Sequence, residues 1–343
     1  LIEIPETSYI VDFVKNINKD ENFCYYPFMQ LLLQPTGYVS PCCWNQEIVY
    51  GSVKDKKLID LWNSETAQAL RNEFIRGEPK LCETQIRHIK CNKLSVREFL
   101  GDLQISEIQS IGPRRLDVRL NGKCNLQCVM CDVWQQPNGL YDESDFWKVG
   151  PKEIFPFLNE IDVLGGEPFV QADTYRLISE IGKINPKCTW AFVTNANYKL
   201  TPFIQEKLDQ IQIRWIQISL DSVRPDTYSK IRVNGDLQKT LKTLEDFLRY
   251  RRKRAWEGKP FILGASMCVQ KLNWSEIAKF ISFCTEKKLD SILQFAYQPT
   301  EISLLSLPVS ERRVILDELN VISKRFGDSI ISPILAPIKE SIT

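Results

Sequence analysis

Histidine is almost missing from this 343-residue chain, with His88 as its sole representative. Zinc sites that mix Cys with His, paired-His metal sites and His-dependent acid–base machinery are thereby nearly excluded. Net charge is lacking too: 44 Lys and Arg stand against 43 Asp and Glu. Nothing in that balance calls for nucleic acid or an anionic membrane as partner. No apolar run reaches the roughly 18 residues of a membrane-spanning helix. No signal-peptide pattern opens the chain, so the expected location is cytoplasmic. Internal repeats and low-complexity segments are absent as well, which sets aside solenoids and arrays.

Cysteine, by contrast, is plentiful at 11 residues. An odd count in a chain of this length does not describe a secreted disulfide framework. In a reducing compartment, clustered thiols bind metal or do redox work, and with histidine scarce the choice narrows to zinc or iron–sulfur. Cys188, Cys268 and Cys284 fall inside strand or helix patterns and are expected as buried apolar residues.

The chain divides near residues 105–113. Before the division, 30–34 and 38–43 read as two strands of a hairpin, with Pro35-Thr36-Gly37 as the turn. Ser64 is an N-cap for a helix to Arg76, which Gly77 ends. After the division, candidate strands at 115–120, 160–164, 189–194, 213–219, 262–269 and 291–296 alternate with helical patterns. That alternation predicts an α/β fold with parallel strands and right-handed crossovers. Six units are too few for a closed eight-stranded barrel, so a partial (β/α)6 TIM-like barrel is expected, with functional residues at the C-terminal strand ends. The expected domains are 1–110, a small α+β Cys-rich domain; 111–300, the partial barrel; and 301–343, a helical tail in which 332–337 reads as a loop or barrel cover.

Cys124, Cys128 and Cys131 share one loop just after the first of these strands. Three soft thiolates suit an iron–sulfur cluster. A four-iron cluster wants four ligands, so one iron is left open for a small molecule. The alternative from spacing alone is a zinc loop completed by a distant Cys. After the second strand stands Gly165-Gly166-Glu167-Pro168-Phe169, where glycines allow close approach to a ligand and the Glu can take an ammonium group.

These residues resemble the signature of the radical S-adenosylmethionine (SAM) superfamily. The resemblance covers about residues 115–296 and departs mildly at Met130, where an aromatic residue is more usual. It implies that Cys124, Cys128 and Cys131 hold a [4Fe–4S] cluster. The cluster would split SAM reductively, and the resulting 5′-deoxyadenosyl radical would take hydrogen from a substrate. It also implies SAM contacts from Met130, Gly165, Gly166, Glu167, Pro168, Thr194, Asn195, Ser219, Asp221 and Arg232, with Asn273 in a similar position.

Cys24, Cys42, Cys43, Cys82 and Cys91 remain in the first part. The spacing from Cys24 through Gly37 to Cys42, with Leu61-Trp62-Asn63-Ser64, Arg71 and Gly77, resembles the SPASM/twitch auxiliary-cluster domains. This implies a second [4Fe–4S] cluster on Cys24, Cys42, Cys82 and Cys91. Two features depart from that pattern. The unit precedes the barrel, and Cys82 and Cys91 are nine apart. Cys43 therefore stands as an alternative fourth ligand, an open iron as another, and structural zinc as the competing site.

The resemblance points to an oxidoreductase or lyase that oxidises, cross-links or rearranges a peptide or small metabolite. It would be served by a reducing partner such as flavodoxin or ferredoxin, without nucleic acid or membrane. A radical-type methyltransferase is the neighbouring reading. A non-catalytic iron–sulfur or zinc scaffold, or an electron-transfer protein, is the more distant one. The 165–169 motif argues against a scaffold, which has no need of a SAM pocket. The basic run from Arg249 to Arg254 reads as a solvated helix end, and Trp147, Trp190, Trp215, Trp256 and Trp274 as core. Trp134, just past the cysteine loop, is expected to line the substrate cavity.

Overall fold

The computed structural model describes residues 23–85 and 103–342, the side chains of 83–85 excepted. Cys91 and His88 lie outside the described residues. The chain forms two compact units, residues 1–120 with 139–161, and residues 121–138 with 162–343.

In the first unit, β1 (Gln30–Leu33) and β2 (Tyr38–Ser40) form the expected hairpin. Gly37 turns it with φ +83°, a conformation that glycine adopts at no steric cost. A short β3 (Gly51–Ser52) extends the ladder beyond β2. β4 (Arg115–Val118) runs parallel to β1, with Leu31 beside Leu116 and Leu33 beside Val118. This parallel partner was not legible in the sequence, because apolar strands carry no label for their neighbour. The second hairpin strand ends at Ser40, which leaves Cys42 and Cys43 in the loop beyond.

Among its described residues this unit has α1 (Tyr26–Met29), α2 (Leu58–Trp62), α3 (Glu65–Ile75), α4 (Lys80–Gln85), α5 (Leu140–Glu143) and α6 (Phe146–Glu153). Ser64 caps α3 by accepting from the Ala67 N–H, and Gly77 follows its end at φ +74°. Arg71 on α3 is wholly buried. Its guanidinium donates to the carbonyls of Pro27, Trp62 and Glu107 and to Asn63 Oδ1, and it lies 4.2 Å over the Trp62 ring. Asn63 in turn bonds the backbone of Gln109 in both directions, and Trp62 Nε1 donates to Ile111 O. The Trp62-Asn63-Arg71 set thus ties residues 107–111 to α1, α2 and α3.

The second unit contains β5 (Gln127–Cys128), β7 (Thr189–Thr194), β8 (Gln212–Ser219), β9 (Arg232–Val233), β10 (Ile262–Val269) and β11 (Asp290–Phe295), and β6 (Glu160–Val163) enters it at Asp162. β7, β8, β10 and β11 are parallel, in spatial order β11-β10-β8-β7. Their connections carry α7 (Ala172–Ile184) before β7, α8 (Pro202–Asp209), α9 (Pro225–Ile231), α10 (Leu237–Trp256) and α11 (Ile277–Lys287). All six expected strands are present, and the class is α/β.

Register explains why this sheet has a functional face. Parallel neighbours in register point to the same side. One side carries Phe192, Ile216 and Leu263, then Ile218 and Ala265, then Met267 and Leu293. Phe192 meets Phe169, which meets Phe247 of α10, so this apolar side lies under helix. The other side carries Val193, Gln217 and Gly264, then Ser219 and Ser266, then Cys268 and Gln294. Its polar residues gather toward the C-terminal strand ends.

The last two helices, α12 (Val309–Phe326) and α13 (Asp328–Glu340), belong to this second unit, and α13 packs on β11. The stretch at 332–337 is helix rather than loop, despite Pro333 and Pro337 within it. Ile331, Ile334 and Ile338 recur at helical spacing and are buried, and that burial outweighs two lost backbone bonds. Two smaller expectations also change. Trp256 is 90% exposed rather than core. Arg254 is buried, donating to the carbonyls of Leu208 and Ile211, so part of the basic run is a clamp. Among the described residues no helix is long and apolar enough to cross a membrane.

Candidate functional site

Cys124, Cys128 and Cys131 sit in a loop held from three sides. At its base, Gly122 N–H donates to Pro137 O, and the space where a Gly122 Cβ would stand is filled by the carbonyls of Val133 and Gln136 at 2.4 Å. In its middle, β5 pairs with β9 so that Cys128 stands opposite Arg232, and Val129 N–H donates to Ile231 O. At its end, Trp134 Nε1 donates to Cys131 O at 2.8 Å. Trp134 braces the loop in this way, a task its position in the sequence did not reveal.

The turn at 165–167 is stitched to the same loop. Gly166 N–H donates to Asn121 O and Glu167 N–H to Lys123 O. A Cβ on Gly166 would lie 2.0 Å from Lys123 O. The glycine therefore permits close approach to the chain's own backbone, where the sequence suggested approach to a ligand. Gly165 has φ +103°.

Glu167 is fully buried and both its oxygens are engaged. Oε1 accepts from Phe169 N–H and Thr194 Oγ1, and Oε2 from Asn195 N–H at 2.7 Å. Burial pushes its carboxyl up to about 7, against the pull of these donors. Its carboxyl group clamps the turn to the end of β7. Thr194 is likewise turned inward, sharing its hydroxyl with Glu167, Tyr198 and the Ala196 N–H.

Asn195 does face the cysteine loop. Its Nδ2 lies 2.9 Å from Asn125 Oδ1 and 3.7 Å from Cys124 Sγ. Asn125 reaches back to Asn197 O. Neither Asn125 nor Asn197 stood out in the sequence, where asparagine in a loop is too common to carry a signal.

Asp221 adopts φ +60° at the end of β8. Its Oδ1 accepts from Cys268 N–H and its Oδ2 pairs with Arg232 Nη2 at 2.7 Å. Asn273 holds this corner by donating to the carbonyls of Asp221 and Cys268. Arg232 then places Nη1 3.7 Å from Cys128 Sγ. Burial opposes the charge on Arg232, but Asp221 and Cys128 outweigh it and hold the guanidinium protonated. Its Nε is buried and has no hydrogen-bond partner among the described residues. Ser219 and Met130 are half-buried, and Pro168 is buried at the start of a short 3₁₀ turn. Cys268 differs from the expectation: it is half-buried on the polar face, within electrostatic reach of Asp221, Arg232, Cys131 and Cys128. Cys188 and Cys284 are buried as expected.

The donor set fits an iron–sulfur cluster. Burial pushes the Cys128 thiol up to about 11 and raises Cys124 as well, so the thiolate forms need added positive charge beside them, which iron supplies. Leu126 N–H, Asn195 and Arg232 already offer N–H groups to the sulfurs. Among the described residues no three His, Cys, Asp or Glu side chains converge as a single metal ion requires.

The first unit gathers a second set of thiols. Cys24 and Cys42 are buried, Cys82 is half-buried and Cys43 is exposed. Buried Tyr50 lies within electrostatic reach of Arg71, Cys42, Cys24 and Cys82, and Tyr26 within reach of Cys43, Cys24 and Cys42. The charges that act most strongly on Cys43 are Asp117 and Arg119. Among the described residues the buried Tyr50 hydroxyl has no hydrogen-bond partner, an orphan of the kind that a group bound at the thiols would satisfy.

Comparison with known proteins adds two family matches. Residues 24–92 match an iron–sulfur cluster-binding domain, SPASM, and residues 118–284 match the radical SAM superfamily. Among curated proteins, the chain is 31% identical over 138 residues to GTP 3',8-cyclase of Clostridium botulinum, covering 39% of this chain and 43% of that protein. It is 24% identical over 221 residues to the enzyme of the same name from Petrotoga mobilis, covering 60% and 64%. The match thus spans less than two thirds of these relatives. Among solved structures, Streptococcus suis SuiB bound to precursor peptide SuiA aligns at 15% identity and TM-score 0.46, over 87% of this chain and 69% of SuiB. The anSMEcpe structure with bound AdoMet and Cp18Cys peptide aligns at 16% identity and TM-score 0.45, over 64% and 61%.

Proposed function

Because the chain is a radical SAM protein whose radical SAM domain follows an iron–sulfur cluster-binding domain, with [4Fe–4S] clusters and SAM as its cofactors, we propose that it cleaves SAM reductively and takes hydrogen from a peptide or small metabolite. The observation that carries this reading is the Cys124–Cys131 loop, stitched to the 165–167 turn and met by Asn195 and Arg232 at its sulfurs. When bound at Cys124, Cys128 and Cys131, the cluster supplies the electron for cleavage and an open iron for SAM. Arg232, held by Asp221, keeps a positive charge beside Cys128 and favours its thiolate. Asn195 orients Cys124 through Asn125 and its own amide. Gly165, Ser219, Met130 and the free Nε of Arg232 remain available to SAM. Glu167, Thr194 and Asp221 serve by holding these residues in place.

Cys24, Cys42 and Cys82, with Cys91 as fourth ligand, would hold the auxiliary cluster. Cys43 is the alternative fourth ligand, since it too lies within electrostatic reach of Cys42. The reaction class is oxidoreductase or lyase, with a flavodoxin- or ferredoxin-type reductant in a reducing cytoplasm.

The test is anaerobic. Reconstituted protein is given dithionite and SAM, and 5′-deoxyadenosine is measured by mass spectrometry beside Cys128→Ala. Parent protein is expected to form it, and the variant to fall at least about 100-fold, to background. S-adenosylhomocysteine with a methylated product would point instead to a methyltransferase. A fully clustered protein that binds no SAM would overturn the proposal in favour of a scaffold. Adding GTP in a parallel arm tests the chemistry named for the curated relatives: consumption of GTP identifies a nucleotide substrate, and none leaves peptide or another metabolite.

A further inference from the structure

Tyr50 lies just before β3, and its N–H donates to Val39 O at 2.8 Å. The β2–β3 ladder pairs Val39 with Gly51 and Tyr38 with Ser52. Gly51, at φ +137°, interrupts the register there, so that Tyr50 bonds the same residue that Gly51 faces. Tyr50 is 3% exposed, and its hydroxyl has no hydrogen-bond partner among the described residues. A buried hydroxyl left unpaired costs about 1–3 kcal/mol, so its retention calls for an acceptor that is present in the working protein. The charged groups that act on it are Arg71, then Cys42, Cys24 and Cys82. Arg71 has no acceptor to offer, and its guanidinium is already committed to Pro27, Trp62, Asn63 and Glu107. The acceptors that remain in that group are the cysteine sulfurs and whatever they bind.

We propose that the Tyr50 hydroxyl donates a hydrogen bond to a sulfur of the auxiliary cluster, as a positioning residue that raises the reduction potential of that cluster. The inference rests on the reading that Cys24, Cys42 and Cys82 hold a cluster. An O–H···S bond grows stronger as the cluster gains an electron, so it favours the reduced form. The phenol itself takes no part in electron transfer and needs no proton exchange for this effect.

The experiment uses the full chain with Cys124, Cys128 and Cys131 all changed to Ala, so that the auxiliary cluster is read alone. Iron and sulfide per chain are measured, and the midpoint potential is followed by EPR during a redox titration. Tyr50→Phe is expected to keep its iron and to shift the potential negative. A tenfold change in the reduction equilibrium corresponds to about 59 mV for one electron. Replacing Tyr50 with 3,5-difluorotyrosine, a stronger donor of the same shape, is expected to move the potential the other way. It also decides the matter should Tyr50→Phe fail to hold its cluster. Unchanged potentials at full iron content overturn the role of Tyr50. A parent chain that holds no iron overturns instead the reading that these cysteines bind a cluster.

Discussion

Glu167 illustrates how a motif residue builds a site by holding its backbone together. Its carboxylate joins the 165–167 turn to Thr194 and Asn195, and burial raises its pKa from 4.5 to about 7. An acid held protonated in the folded state and ionised in the unfolded state contributes stability below the lower value, which is lost as pH rises through the higher one. The metal-free protein should therefore lose about 3 kcal/mol from this group between pH 4.5 and 7. Thermal unfolding across that range, with Glu167→Gln beside it, checks the sign: the variant should show a flatter profile. The motif was legible as a string, but the direction of its side chain was not. Gly-Gly-Glu-Pro specifies a turn with close backbone approach and leaves open whether ligand or protein fills the space. Asn125 and Tyr50 were missed for a related reason, since each gains its meaning from a partner distant in the chain.

At the scale of elements, short pieces do the positioning. β5 and β9 are two residues each, too short to announce themselves by periodicity, yet their pairing sets Arg232 opposite Cys128. α3 announced itself clearly through Ser64 and Gly77, since capping chemistry is local. The task of Arg71 on that helix was not local. It satisfies carbonyls at residues 27, 62 and 107 while stacking on Trp62. Replacing it leaves buried acceptors without donors. Arg71→Met is expected to cost at least about 3 kcal/mol, read as a lower urea midpoint, and to release the 107–111 segment to proteolysis. A conventional exposed arginine would show neither effect.

At the scale of the whole molecule, the chain divides into two compact units, each built from two stretches of sequence. The first includes residues 139–161, and the second includes the two C-terminal helices. Ile315, Leu319, Ile331, Ile334 and Ile338 of those helices are buried. Their burial is worth on the order of 10 kcal/mol in transfer free energy, as large as the net stability of a typical domain. A chain ending at Leu307 should therefore show no cooperative thermal transition and should aggregate on size-exclusion chromatography. A truncated chain that melts like the parent would instead make 308–342 a dispensable tail.

By itself the sequence determined the chemistry: three thiols in one loop, a glycine turn after the next strand, and a second cysteine group on a capped α+β segment. It also determined all six strands of the α/β alternation, because apolar period and turn residues are written locally. The tertiary structure alone decided which residues face one another. Parallel pairing of β1 with β4, the turning of Glu167 and Thr194 into the protein, the Asp221–Arg232–Cys128 chain and the orphan hydroxyl of Tyr50 all depend on contacts between distant residues. Side-chain type does not encode such contacts. They arise when register and packing leave each buried polar group one available partner, or none until a cofactor provides it.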